Sequence, residues 1–190
     1  MKDKTEKHSI IASGKFVTLC QVETEDYKYE YSVDSRCDGE LVAVLPYYYN
    51  SEINSMHVVV HMETTPCWGG DSLHVNSITG GFERDKHSSA TDAARAELSE
   101  EAGIVADMNN MKYIGGSHLG KSSANIVHMF KYIMSDSDYE NFIGREIHTC
   151  GDGSWLEQQS HSVMYTVGKA VALTTDPILS TMILKLKYGM

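Results

Sequence analysis

The chain has 190 residues, 42% of them hydrophobic and 22% charged, which is enough for one globular domain with a buried core. Its 16 basic and 26 acidic residues leave a net charge of −10. That balance argues against tracking along a nucleic-acid backbone, which needs a basic footprint. It leaves room for a small anionic substrate held through metal ions. Cys20, Cys37, Cys67 and Cys150 form no C-x-x-C pair and read as reduced thiols of a cytoplasmic protein. Residues 1–13 are polar and charged, and are expected to be a flexible lead rather than a signal peptide. The longest apolar runs, near 41–49 and 56–62, fall well short of the ~20 residues of a membrane span, so no membrane partner is expected.

In chain order, Phe16 to Val22 reads as a strand. Tyr27, Tyr29, Tyr31 and Val33 alternate with polar residues, the period of a half-buried strand. Asp38-Gly39 is a turn signal, which predicts that Glu40 to Tyr48 hairpins back on that strand. Met56 to Met62 reads as a buried strand, and Thr64 to Asp71 as a loop. A short extended run, Leu73 to Thr79, leads to Gly80-Gly81. Ser88 to Ala102 predicts a helix with Ser89 or Thr91 as N-cap and Gly103 as its stop. Strands are expected at Lys112 to His118 and Asn125 to Met134, then a polar irregular segment from Ser135 to Gly153. The chain closes with predicted helices at Val163 to Leu173 and Pro177 to Lys187, the latter opened by Asp176-Pro177. Strands on both sides of a central helix, with helices last, indicate a layered α/β domain.

The chemistry concentrates on the central helix. With Glu97 at the origin of a helical wheel, Glu101 lies near 40° and Glu100 near −60°, so three carboxylates share an arc about 100° wide. Leu98, Ala94 and Ala102 fall on the adjacent arc and can pack. Like charges at this spacing repel, which a solvated surface tolerates and a divalent cation would relieve.

The run Glu97-Leu98-Ser99-Glu100-Glu101-Ala102-Gly103-Ile104 resembles the second half of the Nudix box, G-x5-E-x7-R-E-U-x-E-E-x-G-U, with Gly80-Gly81 upstream of it. The box arginine is replaced by Ala96, the spacing from Gly81 is one residue longer, and the mid-loop glutamate position falls at His87 or Ser88. Arg36, Asp38-Gly39, the run Leu41 to Leu45 closed by Pro46, and Gly80-Gly81-Phe82-Glu83 are similar to the ADP-ribose and nucleotide-sugar pyrophosphatase group. The resemblance implies a single Nudix domain over residues 1–190, an α/β/α sandwich with a mixed sheet. It implies a metal-dependent hydrolase that cleaves the diphosphate of a nucleoside diphosphate linked to another group, with ADP-ribose or a nucleotide sugar as the expected substrate. Glu97, Glu100 and Glu101 would hold Mg2+ or Mn2+, and Glu140 or Glu146 would assist as base. A homodimer is expected by analogy with that group. The altered box also supports a second reading, a domain that binds a nucleotide or protein without turnover. Within the enzyme reading, dinucleoside polyphosphates and capped RNA ends stay open.

Other residues invite roles. Arg84 and Lys86 could meet a phosphate, the resemblance makes Arg36 a substrate-binding candidate, and Trp68 could stack on a nucleobase, as, less strongly, could Trp155. His61-Met62-Glu63 followed by Pro66-Cys67 suggests a zinc deaminase, but the second cysteine of that signature is Gly70 here. The nine histidines are otherwise read as scattered, with His118 and His128 as outside candidates for the site.

Overall fold

The computed structural model describes residues 6–69, 72–149 and 158–189. Three antiparallel strands, β1 (Lys7–Ser13), β2 (Val17–Glu23) and β3 (Lys28–Asp34), form a small sheet in the order β1-β2-β3. Residues 7–13, expected within a flexible lead, are thus the first strand, paired with β2 from Lys7 opposite Glu23 to Ser13 opposite Thr18.

The main sheet is built on β4 (Glu40–Asn50) and β5 (Ser55–Thr64). It also contains β6 (Leu73–Asn76), β7 (Ile78–Gly81), β8 (Met111–His118), β9 (Ile126–Ile133), β10 (Glu146–Ile147) and β11 (His161–Thr166). Its order is β10-β11-β5-β4-β9-β8, with β6 added on β5 and β7 on β4. The β4–β9 pair is parallel and the other ladders are antiparallel, so the sheet is mixed.

The helices are α1 (Ala90–Ala102), α2 (Asp136–Phe142), α3 (Val167–Leu173) and α4 (Pro177–Tyr188). Side-chain alternation along β4 decides which face each helix covers. Val42 and Val44, with Val59 of β5, pack with Ala94 and Leu98 of α1. Leu41, Ala43 and Leu45, with Val58 and Val60, pack with Ala170 of α3 and with Ile178, Leu179, Met182, Ile183 and Leu186 of α4. The result is an α/β/α sandwich.

Further sequence expectations fail here: within the segment expected to be irregular, residues 136–142 form α2, opened by a Ser135 capping box, and residues 146–147 form β10. Glu40 onward does not hairpin back onto β3. Asp38 and Gly39 do turn with φ of 51° and 78°, but the chain then crosses from the small sheet into the large one. The six consecutive buried residues Leu41 to Pro46 need cover on both faces, which a central strand obtains and a hairpin arm does not. Residues 163–166, expected as helix, belong to β11, which lies between β5 and β10. The helix α3 starts only after Thr166, whose hydroxyl caps it by accepting from the Lys169 amide at 3.3 Å.

Candidate functional site

The late half of β4 pairs with β5, from Tyr47 opposite Val58 to Asn50 opposite Ser55. Its early half pairs instead with β7, while the far half of β5 pairs with β6. Where the two strands part, α1 lies across the opening and a cavity of about 420 Å3 forms beneath it. Its walls carry Glu97, Glu100 and Glu101 of α1, Gly80 and Gly81 of β7, and His61 and Glu63 of β5, with Glu83 and Arg36 at its edge.

Local forces fix α1 in this position. Ser89 caps it by accepting from the Asp92 amide at 3.1 Å. Gly103 ends it in the left-handed conformation, φ 66°, and the Ile104 amide returns to the Leu98 carbonyl at 3.3 Å. Ala93, Ala94, Leu98 and Ala102 are buried, so the apolar arc faces the sheet and the acidic arc faces the cavity. The Ser162 hydroxyl on β11 donates to the Glu101 carbonyl at 2.8 Å, satisfying a carbonyl of the last turn. On β7, the Ser77 amide and hydroxyl both donate to the buried carboxylate of Asp176, at 2.9 and 2.6 Å, which ties the strand entering Gly80 to the start of α4.

Gly80 and Glu97 meet closely. A Cβ at Gly80 would lie 1.8 Å from Oε1 and 2.0 Å from Cδ of Glu97, so the absent side chain is what admits the carboxylate. An all-oxygen donor set of several carboxylates in a polar recess is the chemistry that suits Mg2+ or Mn2+. The residues present therefore fit a hard divalent cation.

His61 contributes differently. Burial, and then the neighbouring His161, push its imidazole down to about 4, so it is neutral at neutral pH. Its Nδ1 lies 3.2 Å from the Ser162 Oγ and 3.8 Å from Glu101 Oε2. Since the Ser162 proton is given to the Glu101 carbonyl, Nδ1 is the donor to Ser162 and carries the ring proton. His61, Ser162 and Glu101 thus form one connected group.

Of the other expected residues, Arg36 reaches the cavity edge. Its guanidinium is held by Asp34, Nη2 to Oδ2 at 3.0 Å and Nε to Oδ1 at 3.3 Å, and lies over the Phe16 ring. Arg84 is engaged by Glu40 at 2.7 Å and sits over Phe82 rather than in the cavity wall. Trp68 is exposed, meets His74 edge-on and does not line the cavity. Glu140 lines a different cavity, with Tyr48 and Asn50. Glu146 approaches His148 and His161. Neither carboxylate offered as base is in the wall of the carboxylate cavity. Trp155 and Cys150 lie outside the described residues. His118 and His128 do not line the cavity, and His128 packs by Phe82 and Tyr113.

Sequence reasoning missed Glu63 and Glu83 as cavity residues and set aside His61. The signal for the β5 pair was present: polar residues two apart, at the end of an apolar strand, share one face. Glu63 accepts from Asn76 Nδ2 at 2.7 Å, and Glu83 from Lys86 Nζ at 2.8 Å.

No protein-family model matches the sequence, nor does the sequence of any curated protein. Solved structures do match. The Nudix domain of Shewanella oneidensis NrtR, crystallised with ADP ribose, superposes with a TM-score of 0.54 at 9% identity, covering 78% of this chain and 86% of that one. A mutT/nudix family protein from Listeria innocua gives 0.51 at 15% identity, covering 80% and 94%. A structure described as an ADP compounds hydrolase gives 0.50 at 18% identity, covering 70% and 68%. The chain has the Nudix fold. Within that fold, the acidic arc of α1 and the glycines of β7 face one another across a single recess.

Proposed function

We propose that the chain is a Nudix pyrophosphohydrolase whose substrate is a nucleoside diphosphate linked to a further group, with ADP-ribose or a nucleotide sugar as the first choice. The observation that carries this reading is the Glu97 carboxylate seated over Gly80, beside Glu100 and Glu101 in one cavity. The structural likeness to a Nudix domain crystallised with ADP ribose supports the choice of substrate.

Glu97, Glu100 and Glu101 would hold Mg2+ or Mn2+, with Glu63 and Glu83 as further oxygen donors in the same recess. A cation bound there supplies neutralisation of the diphosphate and acidification of a water. Water adds to one phosphorus, the bridging P–O bond breaks, and two phosphate monoesters leave as a proton is released. A carboxylate of the α1 arc would take that proton. Arg36, oriented by Asp34, presents a guanidinium at the edge where the phosphates would enter. His61 keeps its proton on Nδ1, toward Ser162, and so steadies the Glu101 end of α1.

The second reading, a binding domain without turnover, draws on Ala96. The cations near it in sequence do not replace the missing box arginine: Arg95 is held by Asp92, Arg84 by Glu40 and Lys86 by Glu83. A substrate panel decides between the readings. ADP-ribose, a nucleotide sugar, a dinucleoside tetraphosphate and a capped RNA are each incubated with Mg2+, Mn2+ or chelator, and products are resolved. Release of AMP and a sugar phosphate from ADP-ribose, abolished by chelator, is the expected result. Turnover confined to the dinucleoside or the cap would redirect the substrate assignment, and no turnover with saturable nucleotide binding would favour the binding domain. Size measurement in the same preparations tests the expected homodimer. No described helix is long and apolar enough to cross a membrane.

A further inference from the structure

The edge strand β10 and its neighbour β11 carry a second group of ligand-type side chains, on the opposite face of the sheet from the carboxylate cavity. In their ladder Glu146 stands opposite Val163 and Ile147 opposite Ser162, so one further step sets His148 against His161. Alternation then places Glu146, His148 and His161 on one face. Val163 on that face joins the core under α3 and α4, whereas Ser162 points to α1 and the Glu101 carbonyl. This group is therefore separated from Glu97, Glu100 and Glu101 by the sheet itself.

Its donor atoms converge. His161 Nε2 lies 3.8 Å from Glu146 Oε1, and His148 Nε2 lies 3.7 Å from Glu146 Oε2. One ligand atom from each of the three residues falls within 4.8 Å of the other two. The two imidazole rings are 5.1 Å apart and tilted by 39° rather than stacked. His161 is buried and already oriented: its Nδ1 is 3.2 Å from the Gln159 carbonyl oxygen, which can only accept. Nδ1 thus donates to the backbone, and Nε2 is aimed at a carboxylate oxygen of Glu146. A backbone carbonyl on the far nitrogen is also the usual support of a metal-bound histidine.

We propose that Glu146, His148 and His161 form a binding site for a divalent transition ion of the zinc class. Two imidazole nitrogens and one carboxylate oxygen suit Zn2+ and not Mg2+, which takes oxygen ligands. Tetrahedral bonds of about 2.0–2.1 Å put donors roughly 3.4 Å apart, so each histidine–carboxylate separation closes by a few tenths of an ångström and the widest, within 4.8 Å, by up to about 1.4 Å. Glu146 and His148 are exposed and free to make that adjustment. An ion at this point cross-links the two-residue strand β10 to β11. It also fixes the segment carrying Thr149, which borders the carboxylate cavity. The site stands independently of the proposed hydrolase activity, because it uses none of the same residues.

The test uses the full chain with Cys67 and Cys150 changed to serine, freed of metal by chelator and then saturated with Mg2+. Co2+ and Zn2+ are titrated by calorimetry and by the visible absorption of bound Co2+. Uptake of one Co2+ per chain, displaced by Zn2+, and a rise in Tm with Zn2+ are expected. His148→Ala and Glu146→Gln, both at exposed positions, should each weaken Co2+ binding at least about tenfold without lowering the metal-free Tm. Glu100→Gln should leave it unchanged. The proposal is overturned if the parent chain takes up no Co2+ in the presence of Mg2+, or if His148→Ala binds it with undiminished affinity. An equal loss in Glu100→Gln would place the ion in the carboxylate cavity and overturn it as well.

Discussion

The Glu97 carboxylate fills the space in which a side chain at Gly80 would begin, with Oε1 1.8 Å from the position of a Cβ. The contact ties α1 to β7, and its yielding partner is the flexible end of a long side chain. Gly80→Ala should therefore fold, because the Glu97 side chain can rotate away, yet it should displace a carboxylate of the proposed metal site. Expected is a loss of turnover of at least about tenfold and a raised Mg2+ requirement, since repositioning a ligand costs affinity on the scale of a lost supporting contact. Metal titrations of activity beside a thermal melt measure both. Unchanged metal dependence would mean that Glu97 is not a ligand.

Glu100→Gln and Glu101→Gln each remove a charge from the same arc without changing its shape. Turnover should fall at least about a hundredfold in each, the size of effect seen when a group that stabilises developing charge is lost. Stability should hold or rise slightly as repulsion between carboxylates at i,i+3 and i,i+4 is relieved. Normal turnover by both variants with normal melting would dismiss the metal-site reading.

The parts of the fold readable from sequence are those with a local cause. Ser89 and Gly103 announce α1, Asp176-Pro177 announces α4, and both helices show their buried faces as a stripe. What escaped was set by partners distant in sequence. The Asp38-Gly39 turn looks like a hairpin, and only the buried run after it shows that β4 is central. Residues 161–166 are apolar enough for either helix or strand, and pairing with β5 decides the matter. The same holds for the site. Glu97, Glu100 and Glu101 share a helix and could be counted on a wheel. Glu63 and His61 join them only because β4 and β5 part company at that level. Glu140 and Glu146 lie in a polar segment, and polarity alone says nothing about the face they occupy.

Cys37 offers a pH test of the turn beside the cavity. Burial raises its thiol to about 11, with the Asp34 carboxylate acting in the same direction. Cys67 is exposed. An alkylating reagent at pH 8 should therefore label Cys67 quickly and leave Cys37 unmodified until the chain unfolds, as peptide mass spectrometry can show. The sign for stability follows from the raised value. Between the ordinary thiol pKa and about 11 the unfolded chain releases a proton that the folded chain keeps, so stability declines as pH rises through that window. Cys37→Ala should flatten that part of the stability profile. Rapid labelling of Cys37 in the folded chain would show that the turn opens readily.

By the proposed reading Ala96 stands where the Nudix box has arginine, and the structure leaves room there. It is half-buried beside a surface cavity of about 300 Å3 bordered by Glu100 and Val105. Arg95, one step away on the helix, is spent on Asp92 at 3.3 Å. In Ala96→Arg, the new side chain can extend through that space to Glu100, its neighbour at i,i+4, and hold the carboxylate by a charge-assisted hydrogen bond. The Tm should change little, within the roughly 0.5 kcal/mol typical of a surface substitution. The Mg2+ concentration for half-maximal activity should drop about twofold to fivefold, the return from an exposed charge pair of roughly 0.5–1 kcal/mol. Folding loss would mean that the position is packed more tightly than the cavity indicates. If the variant folds normally and its metal dependence does not move, Glu100 is already held in place without an arginine, and the substitution at position 96 is then a neutral departure from the motif.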